Sequence, residues 1–296
     1  MSTDSARVLG VGTVALDSVQ TPHGSVADVP GGSALYFGAA ARHFTDVALA
    51  GVVGEDFPEA TLDTLAGVGI DVSAIQRGPG ESLRWKVRYG ADLTERETLE
   101  SNREVALQAA PSIPVELRRP AAVFLGSTSP AIQRAVLENI DGGLVVLDTM
   151  THWIEDCREE LVELLARVDV LLLNQEEAML LGKSAVPPLA AATLRALGPK
   201  WVVIKRGAAG AMAFGPSVDI SVPAHRIASL VDPTGAGDAF AGGFVATLAR
   251  SSSVGTSSVR RALWAGVVMG ALAVTSFSLD ALMEADGAEV FRRAGV

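Results

Sequence analysis

Short apolar runs alternate with longer stretches of helical periodicity along most of the chain. Helices are predicted at 34–44, 58–67, 129–139, 154–167 and 188–197. The apolar runs around them predict strands: RVLGVG, DVALAGVVG, AAVFLG, GLVVLDT, DVLLLNQ and KWVVIKRG. Because these strands are apolar throughout rather than at alternate positions, helices should cover both of their faces. The pattern predicts a doubly wound α/β unit with a mostly parallel sheet, whose ligands bind beyond the carboxyl ends of the strands.

One segment, LRWKVRYG at 83–90, alternates instead, with apolar and basic residues on opposite faces of a half-exposed strand. LDSVQT near the start and ERETLES after the turn GADLT have similar character. Together they predict a small sheet outside the main one, from segments near 14–30 and 82–102. It could close over a site as a lid, pack against a second subunit, or be an ordinary edge hairpin. With no repeat or linker in evidence, 1–296 is predicted to be one compact unit with this sheet appended.

Composition and charge narrow the class of protein. The chain has 296 residues, 49% of them hydrophobic, which is ample for a buried core. Its formal net charge of −10 argues against nucleic acid or an anionic membrane surface as a partner. Cys157 is the only cysteine, so neither an intrachain disulfide nor a thiolate zinc cluster can form. These properties are typical of a protein in a reducing, cytoplasmic environment.

Two apolar segments could indicate secretion or a membrane. The run at 8–16 has the length of a signal sequence, but it leads to Asp17 rather than to a cleavage site of small residues. The run at 262–279 is uncharged and contains Gly266-x-x-x-Gly270, the spacing of a membrane helix dimer. Its Thr and Ser residues and its single occurrence favour a buried helix of the α/β core.

A dinucleotide site is the first candidate for the chemistry, because GVGTVA at 10–15 fits G-x-G-x-x-G/A after a predicted strand. The context does not fit. LDSVQTPHG follows where a helix should begin, and no strand ends in an acidic residue about 20 residues later. The chain also lacks the P-loop pattern G-x-x-x-x-G-K-[ST].

The stretch SLVDPTGAGDAFAGGF at 229–244 predicts a strand that gives way to a helix through a glycine turn. Backbone amides at such a helix start can hold an anion without a lysine. Asp238 in the first turn would repel an anion that was merely bound. It could instead take a proton from a hydroxyl while the amides stabilise a transferring phosphoryl group. The alternative is that Asp238 is a helix N-cap, and spacing alone does not decide between the two.

The segment DPTGAGDAFAGG at 232–243 resembles the C-terminal signature of the ribokinase-like carbohydrate and purine kinases, the PfkB family. The resemblance extends in family order over roughly 7–279, through GTVALDSV, GGSALYFGAAARHF, GVVGEDFPEATLDTLAGVGIDVS, LNQEEA and VVIKRGAAGAM. LRW, DTMTHWI, IKRG and DPTG together most resemble a bacterial subgroup of sugar or nucleoside kinases whose substrates are poorly assigned. The resemblance implies a ribokinase-like fold with a β-sheet lid. It also implies an ATP- and Mg²⁺-dependent kinase for a primary hydroxyl of a small sugar-containing acceptor.

By this resemblance, Asp238 is the base that activates the acceptor hydroxyl, and the amides of Gly235, Ala236 and Gly237 form an anion hole. The other implied groups are Asn174 and Glu177 for Mg²⁺ and phosphates; Asp232 and Thr234 for a monovalent cation, K⁺ in some members; Lys205, Gly207, Gly270 and Ala271 for the nucleotide; and Asp17, Gly31, Gly32 and Tyr36 for the acceptor. Without the family, NQEE is only a helix N-terminus with acidic residues in its first turn, and Asp17 is only a turn former.

Two departures from the family pattern stand out. Tyr36 occupies the position of a sugar-contacting Asn in ribokinase, which disfavours free ribose and suits a wall or stacking surface for a base. Pro233 replaces the first Thr of the signature, a conservative change because Pro fixes φ at the start of the turn.

For the acceptor, Tyr36, Trp85 and Trp153 favour a nucleoside over a sugar, although each could simply be core or lid packing. A non-catalytic sensor of a sugar or nucleoside is the rival class, and the intact Asp238 weighs against it. A homodimer formed through the lid is compatible with this reading.

Overall fold

The computed structural model describes residues 7–102 and 109–295. The predicted unit of 1–296 also includes 1–6, 103–108 and 296, which lie outside the described residues. The described part forms a nine-stranded sheet flanked by helices and a separate four-stranded sheet. The predicted α/β class, with a mostly parallel main sheet and a small second sheet, is confirmed.

Thirteen strands run through the described part of the chain. In order they are β1 Val8–Val11, β2 Ala15–Thr21, β3 Gly24–Gly31, β4 Val47–Val53, β5 Ile70–Arg77, β6 Leu83–Tyr89, β7 Arg96–Ser101, β8 Ala122–Leu125, β9 Leu144–Asp148, β10 Val170–Asn174, β11 Trp201–Lys205, β12 Ala211–Phe214 and β13 Asp219–Val222. The main sheet has the order β13-β12-β11-β10-β9-β8-β1-β4-β5. Its pairs are parallel from β5 to β11, and only β12 and β13 are antiparallel. The carboxyl ends of seven strands therefore meet at one edge of the sheet.

Helices cover both faces of the main sheet, which explains the continuous apolar strands. The described helices are α1 Ser33–Ala41, α2 Glu59–Gly67, α3 Pro130–Leu137, α4 Thr151–Asp156, α5 Arg158–Leu165, α6 Gln175–Gly182, α7 Pro187–Arg195, α8 Ala236–Ala249, α9 Thr256–Ala273, α10 Asp280–Glu284 and α11 Gly287–Ala294. One core packs α1, α8 and α9 on the sheet, and the other packs α3, α5, α6 and α7 on the opposite face.

The small sheet has the order β3-β2-β6-β7, and its strands come from the two segments predicted for the lid, near 14–30 and 82–102, with β3 ending at Gly31. Its central pair, β2 and β6, is parallel, and the outer pairs are antiparallel. The predicted alternation in β6 is confirmed, because Val87 and Tyr89 are buried while Lys86 and Arg88 are exposed. The buried residues form the inner face of the small sheet and pack against Leu230 of the main body.

Two predicted elements were wrong. The helix predicted at 154–167 is two helices, α4 and α5, broken at Cys157 with φ −130° and ψ 34°. Ile154 and Leu161 are buried on either side of the break, so the apolar periodicity continues across it and could not locate it. The strand predicted before α8 is an irregular segment, and its amides at Val231 and Asp232 donate to the carbonyl of Val274 at 2.8 and 3.3 Å. This segment bonds to the end of α9 rather than to a strand.

The apolar run at 262–279 lies mostly in α9, which packs closely on α8. A Cβ on Gly266 would lie 2.8 Å from the Phe240 ring, and one on Gly270 would lie 3.1 Å from the carbonyl oxygen of Ala236. The small residues thus serve packing between two helices of the core. In the part of the chain that the structure describes, no helix has the length and apolar character needed to cross a bilayer.

Candidate active site

The N-terminus of α8 is built on a glycine turn. Gly235 is the N-cap, with φ +71°, a left-handed conformation that glycine adopts without strain. A Cβ at this position would lie 2.3 Å from the ring of Tyr36, so the ring packs directly on the glycine backbone. No side chain among residues 7–102 and 109–295 caps the helix. The Ala236 amide donates to the carbonyl oxygen of Pro233 at 3.3 Å, whereas the next amide, that of Gly237, has neither an intrahelical acceptor nor a side-chain cap among these residues.

Asp238 is the third residue of α8, and it is not the N-cap that the alternative reading proposed. Burial and the repulsion of the nearby Asp148 carboxylate raise its pKa to about 7, against the opposing effects of Lys205 and its own backbone amide. A carboxyl group with a pKa near neutrality can exchange a proton with a bound hydroxyl at cellular pH. The position of Asp238 therefore excludes the N-cap alternative, and its role as a base stays a prediction.

Asp148 and Lys205 form an ion pair beside this turn. The Lys205 ammonium donates a short hydrogen bond to Oδ2 of Asp148, and Oδ1 accepts from the Thr149 amide at 2.9 Å. Burial alone would lower the pKa of Lys205, but the carboxylates of Asp148 and Glu177 outweigh burial and raise it. The Lys205 ammonium also lies 3.0 Å from where a Cβ of Gly237 would be. The pair therefore holds a positive charge against the first turn of α8.

The N-terminus of α6 is satisfied by its own side chains. Oδ1 of Asn174 accepts from the Glu177 amide, and Oε2 of Glu177 accepts from the Asn174 amide, both at 2.8 Å. This reciprocal arrangement is a capping box. Burial and the Asp148 carboxylate raise the pKa of Glu177 to about 7. Asp148 thus acts electrostatically on the first turns of both α6 and α8, and Lys205, which pairs with Asn174 between β10 and β11, also reaches Gly237.

Asp17 lies on β2 against the di-glycine that ends β3. A Cβ on Gly31 would lie 1.9 Å from Oδ2 of Asp17, and Gly32, with φ +91°, would place a Cβ 2.5 Å from the carbonyl oxygen of Thr13. Burial raises the pKa of Asp17 to about 7, which a hydrogen bond from the Gly32 amide opposes and the carboxylates of Asp232 and Asp238 reinforce. The two glycines therefore make room for a buried carboxylate within electrostatic range of Asp238.

The residues predicted for the nucleotide side fall in two places. Gly270 and Ala271 are half-buried on α9, and Gly270 packs against the first residue of α8. Gly207 lies in an exposed turn after β11 with φ +51°, whereas Lys205, two residues earlier, points to the α8 turn. The structure thus places Lys205 with Asp148 and Gly237, away from Gly207.

Residues 14–286 match the sequence model of a protein family that is described as the pfkB family carbohydrate kinases. The chain belongs to this family. PfkB kinases are phosphotransferases that act on hydroxyl groups of sugars and nucleosides. The chain is 32% identical over 252 residues to a cytidine kinase from Thermococcus kodakarensis, a match that covers 81% of this chain and 87% of that protein.

Solved structures share the PfkB fold with this chain. A double mutant of fructokinase from Vibrio cholerae O395, with fructose, ADP and potassium ion bound, has a TM-score of 0.80 at 20% identity and covers 99% of both chains. A ribokinase II from E. coli in complex with ATP and Mg²⁺ has a TM-score of 0.77 at 20% identity, covering 98% of this chain and 99% of that one. At these identities, the likeness establishes the fold.

The PfkB residues of this chain offer ligands for cations. Asp232 is 1% exposed, and its Oδ1 accepts from the Thr234 amide at 2.9 Å. Its Oδ2 is buried with no hydrogen-bond partner among the described residues, which fits a bound monovalent cation. Glu177 uses Oε2 in the capping box, which leaves Oε1 for Mg²⁺ or its water, an oxygen ligand of the kind that Mg²⁺ prefers.

Three contributors to the site were not predicted. Asp148 ends β9 in GLVVLDT, and the rule that ligands bind beyond strand ends could have found it. Tyr89 of the small sheet shares a hydrogen bond with Thr234 at 3.1 Å between the two hydroxyl oxygens. Ser33 and Thr13 exchange hydrogen bonds of 3.0 Å from backbone amide to hydroxyl, fixing the loop beside the di-glycine. No local pattern marks these last pairs, because each joins distant parts of the chain.

Proposed function

We propose that this protein transfers the γ-phosphoryl group of ATP to a primary hydroxyl of a nucleoside. One observation carries the proposal: Asp238 lies in the first turn of α8, where the Lys205 ammonium is 3.0 Å from the position of a Cβ on Gly237 and where Asp17 and Asp148 are within electrostatic range. A single carboxylate thus has both an acceptor-side carboxylate and a phosphate-side cation near it. This is the place that a base for phosphoryl transfer requires.

In the proposed mechanism, Asp238 accepts the proton of the acceptor hydroxyl. As it does so, the hydroxyl oxygen bonds to the γ-phosphorus and the bond from that phosphorus to the bridging oxygen of ADP breaks. The amides of Gly235, Ala236 and Gly237 donate to the oxygens of the transferring group, where negative charge has to be stabilised. Lys205, held by Asp148, adds a fixed positive charge beside Gly237. Phosphoryl transfer needs little more than such positioning and charge stabilisation.

The cation ligands and the small sheet complete the proposal. Mg²⁺, when bound, neutralises phosphate charge, and Asn174 and Glu177 are proposed to hold it, partly through water. Asp232 and Thr234 are proposed to bind K⁺. Gly207, Gly270 and Ala271 would line the adenine nucleotide. We assign the small sheet as a lid that excludes water during transfer, appended to a single kinase unit. A homodimer through the lid and a cytoplasmic location remain part of this proposal.

The acceptor is assigned from the Asp17 side of the site. Asp17, with the backbone of Gly31 and Gly32, is proposed to bind the hydroxyls of the sugar ring. Trp85 is the β6 partner of Asp17 in the parallel pair, so its half-buried ring lies beside that carboxylate and could stack on a base. Tyr36, by contrast, is 2% exposed and covered by Gly235, which makes it a wall rather than a stacking surface. The likeness to a cytidine kinase supports a nucleoside over a free sugar.

An ADP-release screen of the wild-type protein over nucleosides and free sugars, including ribose and fructose, tests the acceptor class. Turnover with nucleosides supports the proposal. Turnover with sugars alone would replace the acceptor by a sugar, and binding without any turnover would favour a sensor.

Asp238→Asn is expected to lower kcat by about 10³-fold while nucleotide binding is retained. The matched control is Asp280→Asn, which removes an exposed first-turn carboxylate of α10 and should leave kcat unchanged. Near wild-type kcat in Asp238→Asn would contradict the assignment of the base.

A further inference from the structure

Arg96 belongs to the inner face of the small sheet. It lies opposite Tyr89 in the antiparallel β6–β7 pair, and such cross-strand partners share a face. Its guanidinium carbon is 5.8 Å from the centre of the Trp85 ring. Trp85 in turn donates from Nε1 to Oγ1 of Thr98, two residues after Arg96, at 3.2 Å. Arg96 and Thr98 therefore point toward the main body.

The same side chain reaches the region where both candidate helix starts meet. Tyr89, the cross-strand partner of Arg96, is joined by its hydroxyl to Thr234, the residue before the Gly235 turn. Arg96 also interacts electrostatically with Glu177 in the first turn of α6. A cation carried by the small sheet thus lies beside the Tyr89–Thr234 contact and within electrostatic range of Glu177.

The charges around Arg96 are unbalanced in a way that suits a phosphate. Five acidic side chains converge on this region with one lysine, Lys205, among them: Asp17, Asp148, Glu177, Asp232 and Asp238. On the outer face of the small sheet, the arginines are ion-paired, Arg84 with Asp28 and Asp56, and Arg88 with Glu97. Arg96 is exposed and has no carboxylate within salt-bridge distance in the described ranges 7–102 and 109–295.

We infer that Arg96 binds the γ-phosphate of ATP from the small sheet, so that lid closure brings the guanidinium onto the group being transferred. The inference rests on the proposed kinase function. A guanidinium presents a planar fork of donors that matches two phosphate oxygens at once. The contact adds a second positive charge to an acidic site that holds Lys205, and it forms only when the lid is closed.

The test measures nucleotide binding without turnover, by titration calorimetry with Mg²⁺ present. Arg96→Gln should weaken binding of the non-hydrolysable analogue β,γ-methylene-ATP about tenfold and leave the Kd of ADP unchanged. Arg96→Lys, which keeps the charge but not the fork, should fall between. The matched control is Arg88→Gln on the outer face of the same sheet, with both Kd values as in the wild type.

The outcomes separate this inference from the proposed function. If the wild-type protein binds neither nucleotide, the proposed function fails. If it binds both and Arg96→Gln changes the two Kd values equally or not at all, the assignment of Arg96 fails. In steady state with the acceptor found by the screen, Arg96→Gln should lower kcat about 100-fold with little change in the acceptor KM. A raised acceptor KM at normal kcat would instead make Arg96 a support for Trp85 at the acceptor.

Discussion

The starts of α6 and α8 both border Lys205 at the carboxyl edge of the main sheet, yet their backbone amides are satisfied in opposite ways. At α6, a side-chain oxygen of Asn174 accepts a hydrogen bond from the Glu177 amide, and a side-chain oxygen of Glu177 accepts one from the Asn174 amide. At α8, a left-handed glycine begins the helix, and no side chain in the part of the chain that the structure describes caps it. Asp148 raises the pKa of an acidic residue in both first turns. The two helix starts thus share one electrostatic environment.

A capped helix start contributes to stability, whereas an uncapped one can bind a ligand. A capped helix start gains stability from its own side chains, at about 1 kcal/mol for a cap. An uncapped start forgoes that gain and keeps its amides for a ligand. In this chain, the start of α6 is capped, and Glu177 keeps one carboxylate oxygen outside the capping box. The start of α8 has an uncapped Gly237 amide, the candidate base Asp238 and the neighbouring Lys205. An acidic residue in the first turn therefore caps its helix in α6 but not in α8.

The largest effects on stability and turnover are expected when the glycine that begins α8 is replaced. Gly235→Ala places a Cβ in the Tyr36 ring and forces alanine into a left-handed conformation. We expect a loss of about 2 kcal/mol in the free energy of unfolding and at least about a 100-fold loss of kcat. Denaturant unfolding and ADP release measure the two. Gly255→Ala is the control, because Gly255 is the N-cap of α9 with φ −137° and open space around it. Equal effects of both changes would contradict a special α8 turn.

The carboxylate of α8 should also appear in the pH dependence of stability. The pKa of Asp238 is raised by folding from 3.8 to about 7, so the folded state binds this proton more tightly than the unfolded state. The resulting stability is full below pH 3.8 and is lost as pH rises through about 7. Asp238→Asn removes this loss. Its free energy of unfolding relative to wild type should therefore rise by about 2.6 kcal/mol from pH 5 to pH 8.

Urea unfolding at the two pH values measures this rise, with Asp280→Asn on the surface of α10 as the reference variant. A constant difference between Asp238→Asn and wild type across this range would mean that Asp238 is not destabilised by its surroundings.

The smallest effect is expected at α6, where the capping box allows a clean substitution. Glu177→Gln retains a side chain that can close the box, so the melting temperature should hold. The loss of one negative oxygen should raise the Mg²⁺ concentration for half-maximal activity about tenfold. Activity measured against Mg²⁺ concentration checks this, with Glu176→Gln, the exposed neighbour in the same turn, as the control. Identical Mg²⁺ curves would leave Glu177 with a capping role alone.

Much of the site could be predicted because it is made of strand ends. Asn174 ends β10 and Lys205 ends β11, and in a parallel sheet these ends meet at one edge. Asp148 ends β9 by the same rule, but an aspartate after a strand is too common to stand out. The partner of Lys205 could not be predicted either, since an ion pair between β9 and β11, which β10 separates in the sheet, leaves no periodic signal. The same holds for Tyr89 with Thr234, which joins the two sheets.

The parallel pairing of β2 with β6 also has a consequence for how the chain folds. After β3, the chain leaves the small sheet, builds β4, α2 and β5 of the main sheet, and only then returns in β6. The central ladder of the small sheet is therefore a long-range contact, whose loop-closure entropy has to be met before any pairing is gained. The main sheet must bring the two segments together first. The small sheet is then the last element to form and the first to open, and its amides should exchange with solvent faster than those of the main sheet.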